Sequence, residues 1–390
     1  FCQYRFNVGI DAVMEQFGFY RVGDLKFYSK LEAAHEHERS GLPFKWDFNE
    51  AVYSSYNWKT EPTETLEELY RQRAQQIRDR YDYLVLWFSG GADSNNILNS
   101  FINNNIKLDE VASYVNYEAT KDRYNFLNGE IYNVAAGKVD QARIRQPELR
   151  HTIIDLAKQT IDHFTNKETK FDWIYHMNGY LNPNNAAKQD IKLREPHWRN
   201  MIAAGKRVCF IHGIDKPRIN EVKGNYYFRF VDMVDTAVSG QVQMLNRAWD
   251  FDEMFYWSPD APKIVIKQSH IIKRYMKIAT PTSPYITEDS NNIVSRTING
   301  KKYFLSVDGI SYLIYPGWYP VPYQAKAPSL FFTPRDEWFF RLPDNDPAKY
   351  SWRTGLDYIW QIMPDKWKEN PMDIKRGFKK MHSKIYNLGS

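Results

Sequence analysis

A short stretch near residue 90 combines the side chains and the backbone freedom that phosphate binding requires. It contains Ser89, Gly90, Gly91, Asp93 and Ser94. The two glycines permit a tight turn in which backbone N–H groups face an anion, because glycine has no Cβ. The serine hydroxyls can donate to phosphate oxygens, and the aspartate can hold Mg²⁺ together with phosphate. These residues indicate a site for pyrophosphate or a similar anion with magnesium.

The flanking residues predict a strand, a glycine turn and a helix. Residues 83–88 form a short continuous apolar run, which is typical of a central parallel strand. A helix from Ser94 to about Asn104 would place its N-terminus, with free N–H groups and a positive dipole end, at the turn. The stretch is neither a Walker loop nor a G-x-G-x-x-G dinucleotide fingerprint, because neither pattern is present.

The hexapeptide SGGADS at residues 89–94 resembles the SGGxDS signature of the PP-loop ATP pyrophosphatases. That superfamily includes asparagine synthetase, GMP synthetase and NAD synthetase. The resemblance implies a doubly wound parallel α/β sheet with a Rossmann-like core, and ATP and Mg²⁺ as cofactors. It also implies cleavage of ATP between its α and β phosphates and transfer of AMP to a substrate oxygen. The open alternative is a glycine turn that binds nothing.

More of the chain resembles asparagine-synthetase-like PP-loop proteins of tailed bacteriophages. The resemblance runs from a helix that begins near Glu64 into the loop, and again over residues 211–217. It implies action in the cytoplasm of an infected bacterium.

A second apolar strand is predicted over residues 207–211. The loop that follows it contains Gly213, Asp215 and Lys216. By position, these residues resemble the second loop of the amidating PP-loop enzymes, which faces the pyrophosphate. The resemblance implies that Gly213 lies at the nucleotide, that Asp215 shares Mg²⁺ with Asp93, and that Lys216 neutralises charge on the leaving pyrophosphate. The alternative is a simple turn, because Asp and Pro are favoured turn residues.

Two more residues complete the predicted site. Asn116 lies at the end of a predicted strand over residues 110–117 and is assigned to nucleotide binding. Lys267 lies on a predicted helix over residues 263–277, with His270 and Arg274 near the same face. A comparable helix in asparagine synthetase faces the substrate, which implies a catalytic role for Lys267. The alternative is a solvated basic face.

The remaining pattern predicts how the chain is divided. Residues 1–80 form an N-terminal accessory segment, residues 81–277 the ATP pyrophosphatase domain, and residues 278–390 an aromatic-rich C-terminal region with a basic tail. Residues 312–340 are expected to pack over the core or the site. Other predicted elements are a hairpin over 17–28, a helix over 30–39 capped by Ser29, a helix capped by Thr63 or Thr65, helices over 125–136 and 147–164, a strand over 171–177, and a hairpin turning at Asn299-Gly300.

Composition excludes several kinds of chemistry. The 390 residues are 43% hydrophobic and 25% charged, and no run approaches 18 apolar residues, so no membrane partner is expected. No signal-peptide pattern begins the sequence, and the two cysteines, Cys2 and Cys209, are far apart, so the cytoplasm is expected. The lack of any CxxC pair argues against sulfur transfer, iron–sulfur clusters and structural zinc.

These observations favour an adenylating ligase that forms a C–N bond. It would activate a carboxylate or carbonyl oxygen of a small molecule for attack by an amine or ammonia. Two alternatives stay open. The acceptor is a nucleobase in DNA or RNA, bound through the basic tail over residues 364–390 of a chain with net charge +5, or the protein binds nucleotides without turnover. A homo-oligomer also stays open.

Overall fold

The computed structural model describes residues 16–123, 125–165, 183, 195–232, 250–319, 334–362, 364–365 and 380–390. The strands are β1 (Phe19–Val22), β2 (Leu25–Phe27), β3 (Phe44–Asp47), β4 (Tyr83–Trp87), β5 (Glu110–Val115), β6 (Arg150–Asp155), β7 (Val208–His212), β8 (Ile219–Val222), β9 (Asn225–Phe228), β10 (Asp250–Met254), β11 (Ile286–Thr287), β12 (Val294–Ile298), β13 (Lys301–Leu305) and β14 (Tyr386–Gly389). The helices are α1 (Lys30–Ser40), α2 (Glu50–Ser54), α3 (Leu66–Arg80), α4 (Ala92–Ile102), α5 (Tyr117–Thr120), α6 (Phe126–Gly129), α7 (Ala136–Arg143), α8 (Leu156–Thr165), α9 (Pro196–Ala203), α10 (Pro262–Ile278), α11 (Val307–Ile314), α12 (Pro334–Phe340) and α13 (Pro347–Ile362), with a π-helical segment (Glu130–Ala135) between α6 and α7.

A five-stranded sheet in the order β10-β7-β4-β5-β6 organises the molecule, and every neighbouring pair is parallel. Its central strand β4 is buried on both faces. Leu84 and Leu86 belong to the largest apolar cluster, whereas Val85 belongs to a separate cluster with Trp198 and Phe210. The prediction of a buried parallel strand over residues 83–88 is therefore confirmed, as is a mixed α/β fold whose parallel sheet is flanked by helices.

Helix α3 leads into β4, and it is held by a cap at its start and by an ion pair at its middle. At its start, the Thr65 hydroxyl accepts from the Glu68 N–H at 3.2 Å and the Glu68 carboxylate accepts from the Thr65 N–H at 2.8 Å. This capping box confirms the predicted cap at Thr65. Further along, the Arg73 guanidinium donates to the Glu253 carboxylate of β10 at 2.6 Å, and both side chains are buried.

The prediction of one helix over residues 147–164 is wrong. Its first part is strand β6, which pairs with β5 along its whole length, and only Leu156–Thr165 is helical. The β-branched residues Thr152, Ile153 and Ile154 favour an extended backbone, and the open edge of β5 supplies the hydrogen bonds. The Asp155 carboxylate then accepts from the Ala157 N–H at 3.1 Å, at the start of α8. The sequence predicts one helix because His151 and Ile154, which lie in β6, continue the spacing of Leu156, Ala157, Ile161 and Phe164.

A six-stranded sheet in the order β11-β13-β12-β8-β9-β14 joins the middle of the chain to its end. Its β12–β13 hairpin turns at Asn299 and Gly300, with φ of 50° and 79°, as the Asn-Gly pair predicted. Strands β8 and β9 precede residue 277, and the other four follow it. The sheet therefore links segments on both sides of the predicted boundary at 277/278.

Other local predictions are confirmed near the N-terminus. Strands β1 and β2 form the predicted hairpin, within a three-stranded sheet in the order β2-β1-β3. The Ser29 hydroxyl caps α1, and Gly41 ends it with φ of 67°. The helix predicted over 125–136 is present as α6, the π-helical segment and α7, and it extends to Arg143.

Two predictions lie outside the described residues, namely the strand over 171–177 and residues 366–379 of the basic tail. In the part of the chain that the structure describes, no helix has the length and apolar character needed to cross a bilayer.

Candidate nucleotide-binding site

The strand order places two loops side by side. From β4 the chain adds β5 and β6 on one side, and it later adds β7 and β10 on the other side. At such a reversal the connections from two adjacent parallel strands diverge and leave a crevice at the carboxyl ends, where open α/β sheets bind ligands. The loops after β4 and after β7 both open into this crevice.

The glycine loop after β4 is held by its own serines. Gly90 has φ of 76°, a left-handed conformation that turns the chain from β4 into α4. The Ser94 hydroxyl accepts from the Ser89 N–H at 3.3 Å, and the Ser89 hydroxyl accepts from the Gly91 N–H at 3.3 Å. Among the described residues, no side chain caps α4, so its first-turn N–H groups, which have no carbonyl partners within the helix, are available to bind an anion.

The other side of the glycine loop rests on the π-helical segment and α7. A Cβ at Gly90 would lie 3.0 Å from the Cα and Cβ of Ala135. The Lys138 ammonium donates to the Gly90 carbonyl at 2.7 Å and so brings a positive charge to the loop. No local motif marks Lys138 in the sequence, because it lies 48 residues from Gly90 and meets it only through folding.

Replacing Gly90 by alanine is expected to lower the free energy of unfolding by about 1–3 kcal/mol, because an L-residue is strained at this φ and the new methyl group crowds Ala135. Urea unfolding measures the effect. Gly137→Ala is the matched control, because Gly137 lies in helix α7 with open space for a Cβ. That variant should gain about 0.5–1 kcal/mol. Equal effects of the two substitutions would contradict the strained loop.

The two loops meet through a lysine and an aspartate. The Lys216 ammonium donates to Oδ1 of Asp93, and the Tyr315 hydroxyl donates to the same oxygen at 2.5 Å. The Lys216 side chain is 8% exposed and that of Asp93 is 27% exposed, so the cluster lies at the edge of solvent. The Lys216 ammonium also lies 5.5 Å from the centroid of the Tyr315 ring. The structure thus brings together two predicted site residues, and their catalytic roles stay predictions.

Gly213 allows the second loop to approach α4 closely. A Cβ there would lie 3.3 Å from the Cβ of Asp93 and 3.3 Å from Cδ1 of Ile97. A larger residue would push the β7 loop away from the glycine loop, so the glycine is explained by packing as well as by the predicted contact with the nucleotide.

Two buried tyrosines, Tyr256 and Tyr315, form hydrogen bonds with Asp93. The Tyr256 hydroxyl donates to the Asp93 carbonyl at 2.9 Å and accepts from the Asn96 amide at 2.9 Å. Burial, with a further contribution from the charge of Asp93, raises the pKa of Tyr256 and of Tyr315 well above the ordinary value. Both phenols therefore stay protonated and act as hydrogen-bond donors.

Sequence patterns do not assign Tyr315 to the site, because it lies 222 residues from Asp93. The expectation that residues 312–340 pack over the core or the site was the only signal. Tyr315 is 1% exposed and meets that expectation, whereas residues 320–333 are not among the described residues.

Asp215 has a cationic partner of its own. Its carboxylate accepts from the Arg218 guanidinium at 3.1 Å. Among the described residues, no three His, Cys, Asp or Glu side chains form a group that could hold a metal ion. Mg²⁺ commonly binds through one or two carboxylates together with phosphate oxygens, so Asp93 beside a bound polyphosphate is a suitable donor set. The metal role of Asp215 stays a prediction.

Asn116 is suited to a nucleobase. It follows β5, next to the glycine loop, and is 2% exposed. Its backbone N–H donates to the Asn128 side-chain oxygen at 2.7 Å, but its own side-chain oxygen is buried and accepts no hydrogen bond from the residues that the structure describes. A buried acceptor without a donor is costly, and the exocyclic amine of an adenine would satisfy it.

The structure does not bring Lys267 to the glycine loop. The Lys267 ammonium lies 2.8 Å from the Glu61 carboxylate, and Arg274 pairs with the same carboxylate. On the same face, Nε2 of His270 lies 2.9 Å from the Trp58 carbonyl oxygen. The basic face of α10 is therefore docked on residues 58–61. These contacts support a structural role for Lys267 rather than the catalytic one implied by resemblance.

Comparison of the chain with models of protein families gives no match, and comparison with curated proteins gives none either. The fold and the site by themselves define an α/β protein with a glycine loop and a lysine–aspartate contact where the strand order reverses.

Proposed function

We propose that this protein is an ATP-dependent adenylating enzyme of the PP-loop ATP pyrophosphatase type, with a doubly wound Rossmann-like core. The observation that carries the proposal is the contact between Lys216 and Asp93, which come from the two loops that flank the crevice. This contact supports the proposal because it joins a carboxylate suited to magnesium and an ammonium suited to a leaving phosphate at the N-terminus of α4.

The residues around the crevice suit ATP. The loop amides at Gly90 and Gly91, with the first turn of α4, would hold phosphate oxygens. Lys138, whose ammonium already lies at the loop, adds positive charge. Asn116 would accept from the adenine amine with its buried oxygen. Asp93 would hold Mg²⁺ together with phosphate oxygens, and the metal would supply charge neutralisation.

The reaction that follows is a substitution at the α-phosphorus. An acceptor oxygen attacks it, the bond to the bridging oxygen breaks, and pyrophosphate leaves with the electron pair. Lys216 neutralises the charge that grows on the leaving group. An amine or ammonia then attacks the activated carbon, AMP leaves with the electrons of the C–O bond, and the nitrogen of the new C–N bond loses a proton to solvent. Tyr315 is a positioning residue that holds the Asp93 carboxylate.

A nucleobase acceptor in DNA or RNA has less support. The basic face of α10 could contact a nucleic acid, but its Lys267 and Arg274 are paired with Glu61. A carboxylate or carbonyl acceptor on a small molecule is therefore the proposal.

The first experiment measures pyrophosphate and AMP released from ATP with Mg²⁺ by the full chain. Pools of amino acids and other carboxylates, nucleotides, DNA and tRNA are supplied separately. Release is expected with one small-molecule pool, and Asp93→Asn should lower the rate about 100-fold or more, because the carboxylate that would hold the metal is lost.

Each outcome decides between the candidate functions. Release that depends on DNA or tRNA would move the acceptor to a nucleobase. ATP binding without pyrophosphate from any pool would leave a nucleotide-binding protein. Release that Asp93→Asn leaves unchanged would place the chemistry outside the glycine loop.

A further inference from the structure

A pair of arginines lies beside the second loop. In the β8–β9 hairpin, Ile219 pairs with Phe228, so Arg218 and Arg229 lie opposite each other at the next position. The Arg229 N–H donates to the Arg218 carbonyl at 3.3 Å, which confirms that the two backbones remain adjacent there. Like charges placed directly opposite across two strands repel, so this arrangement costs stability unless an anion joins it.

The positive charge of this pair is only partly compensated. Among the described residues, Arg218 has one carboxylate partner, Asp215, at 3.1 Å, and its Nε is buried without an acceptor. Arg229 forms no ion pair in the described part of the chain. Burial and the nearby Arg218 lower the pKa of Arg229, as expected of a guanidinium that lacks a counter-charge.

The C-terminal segment adds further positive groups. Val231 forms a β-bridge with His382, which brings residues 380–382 alongside the arginines. Burial, followed by the charges of Arg229, Arg218 and Lys380, lowers the pKa of His382 to about 4. Three cationic side chains therefore lie near enough to a neutral histidine to lower its pKa, and Asp215 contacts only one of them, Arg218.

This cluster is next to the nucleotide site along the chain. Arg218 follows Lys216 by two residues, and Lys216 contacts Asp93. Two residues of extended chain span about 7 Å, so an anion on the arginines would lie within the reach of a small molecule from the glycine loop.

We propose that Arg218 and Arg229 bind an anionic oxygen group, a carboxylate or a phosphate, on the acceptor substrate. The proposal rests on the proposed function and narrows its substrate class to acceptors that carry a second, non-reacting anionic group. Guanidinium groups suit this task because they present paired N–H donors to carboxylate and phosphate oxygens.

The test titrates the full chain with inorganic phosphate and, separately, with succinate, by calorimetry at low salt. A non-hydrolysable ATP analogue is present so that the glycine loop is occupied. Arg229→Gln and Arg218→Gln are each expected to lower the affinity for one of the two anions about tenfold or more, because a charge-assisted hydrogen bond is lost. Weakened phosphate binding identifies a phosphorylated acceptor, and weakened succinate binding identifies a carboxylate.

Arg71→Gln is the matched control, because Arg71 is an exposed arginine of α3 that forms no ion pair within the described part of the chain. It should leave both affinities unchanged. Arg229→Gln should fold at least as well as the parent chain, because it relieves the repulsion. If Arg218→Gln fails to fold, Arg218→Lys replaces it and is expected to show a smaller loss of affinity. Unchanged affinity for both anions in both arginine variants would overturn the proposal.

A second readout follows His382 directly. A bound anion should raise its pKa above about 4, which a proton NMR titration with and without the anion measures. The same pKa with and without saturating anion would count against the subsite.

Kinetics separates this proposal from the proposed function. Arg229→Gln should raise KM for the acceptor while KM for ATP stays the same. Anion binding that depends on Arg229, without pyrophosphate release from any pool, would support the subsite and defeat the adenylating function. Pyrophosphate release with an unchanged acceptor KM in Arg229→Gln would support the adenylating function and defeat the subsite.

Discussion

Replacing Lys216 by methionine is expected to lower pyrophosphate release by about 10²–10³-fold, the usual loss when one preorganised charge-stabilising donor is removed. Its ammonium is buried at the crevice edge, in contact with Asp93 and over the Tyr315 ring. The effect should fall on kcat, because the negative charge that it meets develops on the leaving group in the transition state. Steady-state assays of pyrophosphate, with the acceptor pool that supports release, measure it.

Two further lysines make this result specific. Lys158→Met is the control, because Lys158 is exposed on α8, and it should leave the rate within about twofold. Lys267→Met tests the role implied by resemblance and should also keep the rate, with a small loss of stability from the Glu61 contact. A rate for Lys216→Met within about threefold of the parent chain would remove Lys216 from the mechanism. A large loss of rate in Lys267→Met would show that Lys267 of α10 acts in the reaction.

Replacing Glu253 by glutamine is expected to lower the free energy of unfolding by about 3–5 kcal/mol, because it leaves the buried Arg73 guanidinium without a counter-charge. The Glu253 carboxylate is 1% exposed and accepts from Arg73 at 2.6 Å, from Tyr81 at 2.6 Å and from Arg80 at 3.0 Å. It holds α3 against the edge strand β10, so the packing of the N-terminal part of the chain against the central sheet depends on it. Urea unfolding followed by circular dichroism measures the loss.

A double variant separates the lost ion pair from a general effect of substitution. Glu253→Gln with Arg73→Met removes the unpaired charge and should recover much of the stability. Glu67→Gln, at an exposed position of the same helix, should stay within about 0.5 kcal/mol of the parent chain. If Glu253→Gln unfolds at the same urea concentration as the parent chain, the buried pair has no net stabilising role.

The features that sequence alone predicted are those that local interactions decide. The apolar run over residues 83–88, the Asn299-Gly300 turn and the caps at Ser29 and Thr65 each depend on residues within a few positions of one another. A glycine pair after a buried strand likewise needs only its neighbours to form a loop. Strand β4, the β12–β13 hairpin, the glycine loop and the candidate phosphate-binding residues Ser89 to Ser94 were therefore predictable without a three-dimensional structure.

Tertiary structure decided what depends on partners far along the chain. Residues 150–155 became a strand because the edge of β5 was available to pair with them. Lys267 faces Glu61 and not the glycine loop, because α10 packs against the N-terminal segment. Tyr315 and Lys138 reach the loop across 222 and 48 residues, and Arg229 meets Arg218 only through the β8–β9 pairing. Such contacts follow from how the helices and strands pack together, and local sequence patterns do not predict that packing.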